Sequence, residues 1–271
     1  MSSTKFKVDL FPVREKHCIP AAARTIHKSF SSDPLIRWLR PNAVPWAHQN
    51  TSTWNWQYRR IQHIMSKGEV FRSMGVEQMA VQYPQKGLSQ EPAIATSDRV
   101  NLSDQKLPAS LCGEDNSNFD DDAGAVVFLF PPPGRITWSI PRICLACKLW
   151  LLDWLKPAHD SGAREKRVEI LLDKHEASLK LLQTRYPSDN LWYLEVVTVH
   201  PSLQSRGLGG GVMRWILDHV YGEPIYLECT RKENVGFYES FGFEVAEEVE
   251  MAEEGQEDLF KHWVMVHPGK S

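Results

Sequence analysis

Between residues 191 and 221 a β-branched run passes through a polar turn and restarts as an amphipathic helix behind a cluster of glycines. Few folds accommodate that succession. Leu194-Glu195-Val196-Val197-Thr198-Val199 gives way at His200-Pro201 to Ser202-Leu203-Gln204-Ser205-Arg206, and Gly207-Leu208-Gly209-Gly210-Gly211 follows. Glycines in the first turn of a helix let an anion approach the backbone N–H groups closely, and the helix dipole favours negative charge there. The run predicts a strand over Leu191–Val199, a helix over Gly207–Tyr221, and a phosphate or pyrophosphate site between them. A Walker loop is excluded, because Gly210-Gly211-Val212 stands where Lys-Ser/Thr would be needed. A dinucleotide fingerprint fails as well, since Val212 occupies the third glycine position counted from Gly207-x-Gly209.

The rest of the chain reads as an α/β architecture with a mixed sheet. Lys5–Val13 alternates around Phe6, Val8 and Leu10 like a first strand. A helix is expected over Ile19–Phe30, and Asp33-Pro34 caps a second short element. Trp54, Tyr58, Ile61 and Met65 recur on one helix face, which Gly68 ends, and Glu69–Met74 reads as a strand. Ala125–Phe130 is a buried strand stopped by Pro131-Pro132-Pro133-Gly134. Helices are expected over Ile143–Leu155 and along the stripe Val168, Leu171, Leu172, His175, Leu179 and Leu182. His175, without a metal-binding companion nearby, reads as a histidine at the core edge. Strands at Pro224–Thr230, Phe243–Met251 and Leu259–Val266, with a short helix over Asn234–Phe241, complete the pattern.

From about Gln82 to Asp122 the chain is rich in Ser, Asp, Asn, Gln and Pro without any apolar period. Such a stretch buries too little surface to offset its ordering entropy. It is expected to be a flexible insertion at 82–122 in a single domain spanning 1–271.

The formal charge of −3 leaves no global basic field, so nucleic acid is not an expected partner. Met1–Leu10 lacks the apolar core of a secretory signal, and Arg142, Lys148 and Asp153 interrupt the most apolar stretch, Trp138–Leu155. A cytoplasmic protein with no membrane partner is expected. The five cysteines, Cys18, Cys112, Cys144, Cys147 and Cys229, odd in number and widely scattered, do not read as a secreted disulfide framework. Cys144-x-x-Cys147 lacks a second ligand pair, so it reads as two cysteines on one helix turn, and no metal is expected.

Two motifs narrow the reading. Gln204-x-x-Gly207-x-Gly209 after a strand ending at Val199 resembles the pyrophosphate motif of the GNAT acetyltransferases. Asn234-x-x-x-Tyr238-x-x-x-Gly242-Phe243 is similar to a second signature of that family, with Tyr226–Thr230 placed like its fifth strand. Within the family the likeness is greatest to puromycin N-acetyltransferase-like enzymes, through Trp192–Val199, Leu227-Glu228 and Phe237–Phe243. That likeness is strong over 190–251, weaker over 6–74 and 125–186, and absent from the insertion.

The resemblance implies a GNAT fold: a mixed, mostly antiparallel sheet with splayed fourth and fifth strands, flanked by helices, whose coenzyme-binding half is 190–267. It implies acetyl-CoA as co-substrate and an amine acceptor, most simply a small molecule, in a monomer or homodimer. A protein or peptide N-acetyltransferase and an inactive acyl-CoA-binding module are the alternatives. Backbone groups of Val197, Thr198 and Val199 would hold the pantetheine arm and the thioester oxygen. The amides of Arg206, Gly207, Leu208, Gly209 and Gly210 would hold the pyrophosphate, with the side chains of Gln204 and Arg206 as further contacts. Tyr238 would protonate the departing thiolate, and Asn234 would help hold the coenzyme.

Counting back from Val199, the residues Val197, Glu195 and Tyr193 are expected on one strand face. Glu195 is accordingly the candidate base, directly or through water. Glu228 on the neighbouring strand is the alternative carboxylate, and its burial in an apolar strand would be costly without a partner.

Overall fold

The computed structural model describes residues 7–42, 51–85, 121–158, 160, 162–186 and 190–269. The first strand, β1, is only Phe11–Pro12, shorter than the alternation around Val8 and Leu10 suggests. Pro12 carries no N–H for a ladder, and Val8 and Leu10 are buried without joining one. Helix α1 (Ile19–Phe30) has Pro20 in its first turn, where the missing N–H costs nothing, and buries Ile19, Ala22, Ala23 and Ile26. Helix α2 (Pro34–Leu39) is capped by Asp33, whose Oδ1 accepts from the Leu35 N–H at 2.9 Å. Helix α3 (Thr51–Lys67) stops at Gly68, where a Cβ would lie 2.6 Å from the Leu129 carbonyl oxygen. Strand β2 (Glu69–Arg72) follows.

A seven-residue helix, α4 (Val76–Gln82), precedes the polar stretch and has no counterpart in the sequence reading. Residues 86–120, most of the expected insertion, lie outside the described residues. Its two ends belong to the fold. Tyr83 is buried, and its hydroxyl donates to the Lys7 carbonyl. Asp122 accepts from Arg24 Nε at 2.6 Å and pairs with Lys28, both on α1. Buried Ala123 and the Gly75–Ala123 bridge bring the chain back to the sheet.

Strand β3 (Ala125–Phe130) is buried almost throughout. Helices α5 (Ile140–Leu155) and α6 (Glu165–Gln183) follow, and Cys144 and Cys147 are exposed on α5. The buried stripe of α6 runs through Arg167, Ser178 and Leu182, with Leu171 and Leu179 partly buried, while Leu172 is 61% exposed. The final third is β4 (Trp192–Val199), α7 (Leu208–His219), β5 (Ile225–Cys229), α8 (Lys232–Glu239), β6 (Glu244–Ala252) and β7 (Leu259–His267).

The seven strands form one sheet in the order β1-β2-β3-β4-β5-β7-β6. The β4–β5 pair is parallel and every other pair is antiparallel. One face packs on α4, α7 and α8 through Met79, Val212, Met213, Ile216 and Tyr238. The opposite face packs on α1 and α3 over β3 and β4, and on α2 and α6 over β5, β7 and β6. Arg167 anchors α6 deep in that second face. Only 1% exposed, it meets Glu253 at 2.8 Å and Asp258 at 2.8 Å while its guanidinium lies 5.1 Å from the Trp38 ring. No helix among the described residues is long and apolar enough to cross a membrane.

Candidate active site

Two local irregularities open the sheet at its centre. The parallel ladder pairs Trp192 with Ile225, Tyr193 with Tyr226 and Leu194 with Leu227, and there it stops. Strands β4 and β5 run on to Val199 and Cys229 without pairing each other. The expected splay is therefore present.

Its cause lies on the other edge of β4. The β3 register places Phe128 opposite Val196 and the next residue, Leu129, opposite Leu194, so Glu195 is an extra residue, a β-bulge. This corrects the expected alternation. Before the bulge, Trp192 and Leu194 face α7; after it, Val197 and Val199 do. Tyr193 and Val196 face the opposite side. Glu195 therefore shares neither the face of Val197 nor a regular strand position.

A cleft of about 1370 Å³ runs through the opening. At one end it is lined by Val197, Thr198, Val199 and Gln204, then by Gly207, Leu208, Gly209 and Gly210, with Asn234 and Tyr238 from α8. Gly207 sits before α7 with φ 82°, a left-handed conformation that a side chain would strain, and no side chain caps this helix. Gly209 is different: a Cβ there would meet Phe237 Cζ at 3.5 Å, ordinary contact, so the fold itself does not demand glycine. What its absent side chain leaves is open access to the helix N-terminus. Gln204 Nε2 donates to the Val199 carbonyl at 3.0 Å, bracing the turn against the strand end.

Arg206 departs from expectation. Its guanidinium donates to the Tyr83 carbonyl at 3.0 Å and the Ser202 carbonyl at 3.1 Å, and its side chain does not line the cleft. It ties the glycine turn to α4 instead.

Tyr238 is half-buried against Phe237 and Phe243. Burial, with the nearby Cys229 and Asp33, pushes its phenol well above the ordinary value, so it holds its proton throughout the physiological range. Asp33 reaches this region too, accepting from Thr230 Oγ1 at 2.7 Å and joining the start of α2 to the β5–α8 turn.

The other end of the cleft lies between α3 and α6. Arg60, His63 and Lys67 line it from one helix and Leu172, His175 and Leu179 from the other. Both candidate carboxylates sit here, at the point where the strands part. Glu195 is paired with Arg60 at 2.5 Å, and that guanidinium also lies over the rings of Trp56 and Phe128. Glu228 is the first β5 residue beyond the last parallel pair. Its Oε1 meets His175 Nδ1 at 3.1 Å, and its Oε2 accepts from the Tyr193 hydroxyl at 3.0 Å.

Burial pushes the Glu228 carboxyl up, but hydrogen bonds from His175 and Tyr193 and the charges of His175 and His262 outweigh it and hold it below the usual range. The hydrogen bond to Glu228 raises His175, against burial, with the charges of Glu228 and Glu195 adding to the rise. Around this pair, Tyr193 stacks on Tyr226 at 4.6 Å and on Phe130 at 5.9 Å, and His175 lies 5.1 Å from Tyr193.

His175 does lie at the core edge, partly buried, and the structure adds a carboxylate partner that the sequence alone does not show. Among Val168, Leu171, Leu172, Leu179 and Leu182 it is the one titratable side chain, and its carboxylate partner lies 53 residues downstream. No group of three or more His, Cys, Asp or Glu side chains among the described residues is arranged to hold a metal ion.

Residues 172–243 match the acetyltransferase (GNAT) family. Among solved structures, a Corynebacterium glutamicum protein described as histone acetyltransferase HPA2 and related acetyltransferase superposes with a TM-score of 0.52. It is 14% identical, over 98% of each chain. Arylalkylamine N-acetyltransferase 2 from Aedes aegypti superposes with a TM-score of 0.52 at 10% identity, over 96% of this chain and 98% of that one. The C-terminal condensation domain of Ebony, in complex with beta-alanyl-dopamine, gives 0.51 at 10% identity over 96% and 98%. At such identities these likenesses carry the fold alone. The chain has the GNAT fold, and the segment matched to the acetyltransferase (GNAT) family includes β4, the glycine turn, β5 and α8.

Proposed function

We propose that this protein transfers an acetyl group from acetyl-CoA to the amine of a small molecule. The observation that carries the reading is the continuity of one cleft from an uncapped, glycine-opened helix N-terminus, through parted parallel strands, to a pocket with partly buried carboxylates and aromatic rings. The first end suits a pyrophosphate. The parted strands leave backbone donors of Val197–Val199 for an extended amide-bearing arm and for the oxyanion that forms on the thioester. The second end suits a cationic amine, through the carboxylates Glu195 and Glu228 and the faces of Tyr193 and Tyr226.

The roles follow from position. Amides of Gly207–Gly210 hold the pyrophosphate, Asn234 flanks it, and Tyr238 supplies the proton to the departing sulfur. Two helices, α3 and α6, wall the acceptor end. That enclosure, with the motif likeness to puromycin N-acetyltransferase-like enzymes, favours a small molecule over a protein acceptor. The whole chain acts as one domain in this reading.

Calorimetry with acetyl-CoA, followed by thiol release against a panel of primary amines, tests it. Binding in the micromolar range and amine-dependent thiol release are expected; no heat of binding would reject the coenzyme site.

A further inference from the structure

We propose that His175 is the proton acceptor for the attacking nucleophile, with Glu228 and Tyr193 holding its ring in place. The proposal rests on the acetyl-transfer reading above, and it moves the base from either carboxylate to a residue on α6.

Glu228 stands where β5 leaves β4, so a group bound to it faces the opening through which the thioester would lie. Both Glu228 oxygens are already occupied, Oε1 by His175 Nδ1 and Oε2 by the Tyr193 hydroxyl. A carboxylate so engaged orients a base better than it acts as one. An imidazole that donates from Nδ1 to a carboxylate carries its lone pair on Nε2. Nε2 of His175 makes no hydrogen bond among the described residues, and the side chain, 28% exposed, lines the cleft. The ring is also fixed by Tyr193 and Tyr226, at 5.1 and 6.5 Å between centroids.

The charged and titratable groups around it are consistent with this role. From β5 comes Glu228 and from β4 Glu195, both raising its proton affinity. From β7 comes His262, whose burial holds it below the ordinary imidazole value. Lys174 precedes His175 on α6, and Glu247 of β6 is engaged by Ser178 at 2.8 Å. Glu195, the other carboxylate at the opening, is committed to Arg60.

His175 Nε2 takes one proton from the acceptor ammonium, and the free amine attacks the thioester carbonyl carbon. The C–N bond forms and the C–S bond breaks. The sulfur takes the Tyr238 proton, and the second nitrogen proton restores the Tyr238 phenol. The products are the amide, free CoA thiol and a protonated His175, which releases its proton to solvent.

The test measures thiol release from acetyl-CoA by wild type, His175→Ala, His175→Gln, Glu228→Gln and Glu195→Gln, with amines and with water alone as acceptor. Each is followed from pH 5.5 to 9, with acetyl-CoA calorimetry on every protein. Wild-type kcat/KM should rise through an acid limb set by His175. Both His175 variants should bind acetyl-CoA within about twofold of wild type yet lose roughly 10²–10⁴ in kcat, in keeping with loss of a general base. The limb should vanish in both, and added imidazole should restore part of the rate to His175→Ala. Glu228→Gln should keep the limb but move it to lower pH by roughly one unit, the direction expected when the carboxylate charge is removed. Glu195→Gln should keep the limb and move it in the same direction by less than Glu228→Gln does, because the Glu195 charge adds the smaller share of the rise.

A His175→Gln protein with wild-type kcat and an unchanged limb would overturn the proposal. So would a limb abolished in Glu228→Gln but kept in the His175 variants, which makes Glu228 the base. If wild type binds no acetyl-CoA, the acetyl-transfer reading falls and this assignment with it; if it binds and turns over but the His175 variants match it, only the assignment falls.

Discussion

Leu194 and Leu227 are the last residues of β4 and β5 to pair, and the next residue on each strand is a glutamate. Glu195 and Glu228 therefore flank the opening, yet their surroundings set them apart. Glu195 balances a guanidinium from α3, while Glu228 is the hub of a hydrogen-bonded cluster with a histidine and a tyrosine. Two carboxylates at equivalent strand positions have been given different tasks by the helices that cover them.

Gly207→Val should weaken acetyl-CoA binding at least tenfold, about 1.4 kcal/mol, because the left-handed backbone that aims the amides is lost. Gly209→Ala separates the fold from the ligand. Its Cβ meets only Phe237 within the protein, at ordinary contact distance, so the thermal midpoint should hold while affinity drops. Calorimetry and thermal unfolding on both variants read this; equal affinity in wild type and Gly207→Val would remove the pyrophosphate from this turn.

Tyr238→Phe keeps the ring packing and removes the hydroxyl. Single-turnover thiol release should fall roughly 10- to 1000-fold with acetyl-CoA affinity near wild type. Since burial raises the phenol, wild type should show no loss of rate from Tyr238 ionisation below about pH 10. Full single-turnover activity in the phenylalanine variant would reject its role as acid.

Arg167→Ala should be the most damaging of these substitutions for stability, by roughly 3 kcal/mol. It leaves Glu253, 8% exposed, with only Arg164 at 3.2 Å, and opens a void beside Trp38. Arg167→Lys should recover only part of the loss, because an ammonium cannot bridge Glu253, Asp258 and the Trp38 carbonyl together. Denaturant midpoints measure the series; an alanine variant as stable as wild type would mean that α6 is held elsewhere.

Asp122 should contribute a pH-dependent share of stability. Burial pushes its carboxyl up, but Lys28 and Arg24 outweigh this and hold it below the ordinary aspartate value. A depressed folded value means the contribution is fully present above the unfolded value and is lost as pH falls through the folded one. Asp122→Asn should therefore be less stable than wild type by about 1–2 kcal/mol at pH 7, with the gap narrowing below about pH 4. A gap that is constant with pH would assign the effect to packing rather than charge.

The glycine turn, the strand before it and the three strands after it are legible because local chemistry decides them: β-branched runs, a left-handed glycine, a helix left uncapped. What escaped depends on partners distant in sequence. Alternation counted through Tyr193, Glu195 and Val197 holds only if the strand is regular, and nothing in those residue types announces a bulge. Arg206 beside a phosphate turn reads as an anion ligand until Tyr83, 123 residues away, is seen to accept its hydrogen bond. His175 acquires meaning only from Glu228, 53 residues downstream. Helix α4 was missed because seven residues are too few to show a helical period against a polar neighbourhood.

The extra residue in β4 also fixes the phase of everything after it. From Val196 onward, even-numbered side chains point where odd-numbered ones pointed before, and the α7 core is built on that parity through Val197 and Val199. Exchanging one side chain for another in this strand leaves the count intact. Removing one residue at Glu195 would do the reverse: it would close the ladder and realign the strands, erasing the opening without altering a single residue that lines its far end. The cleft is thus encoded in the length of β4 as much as in its composition.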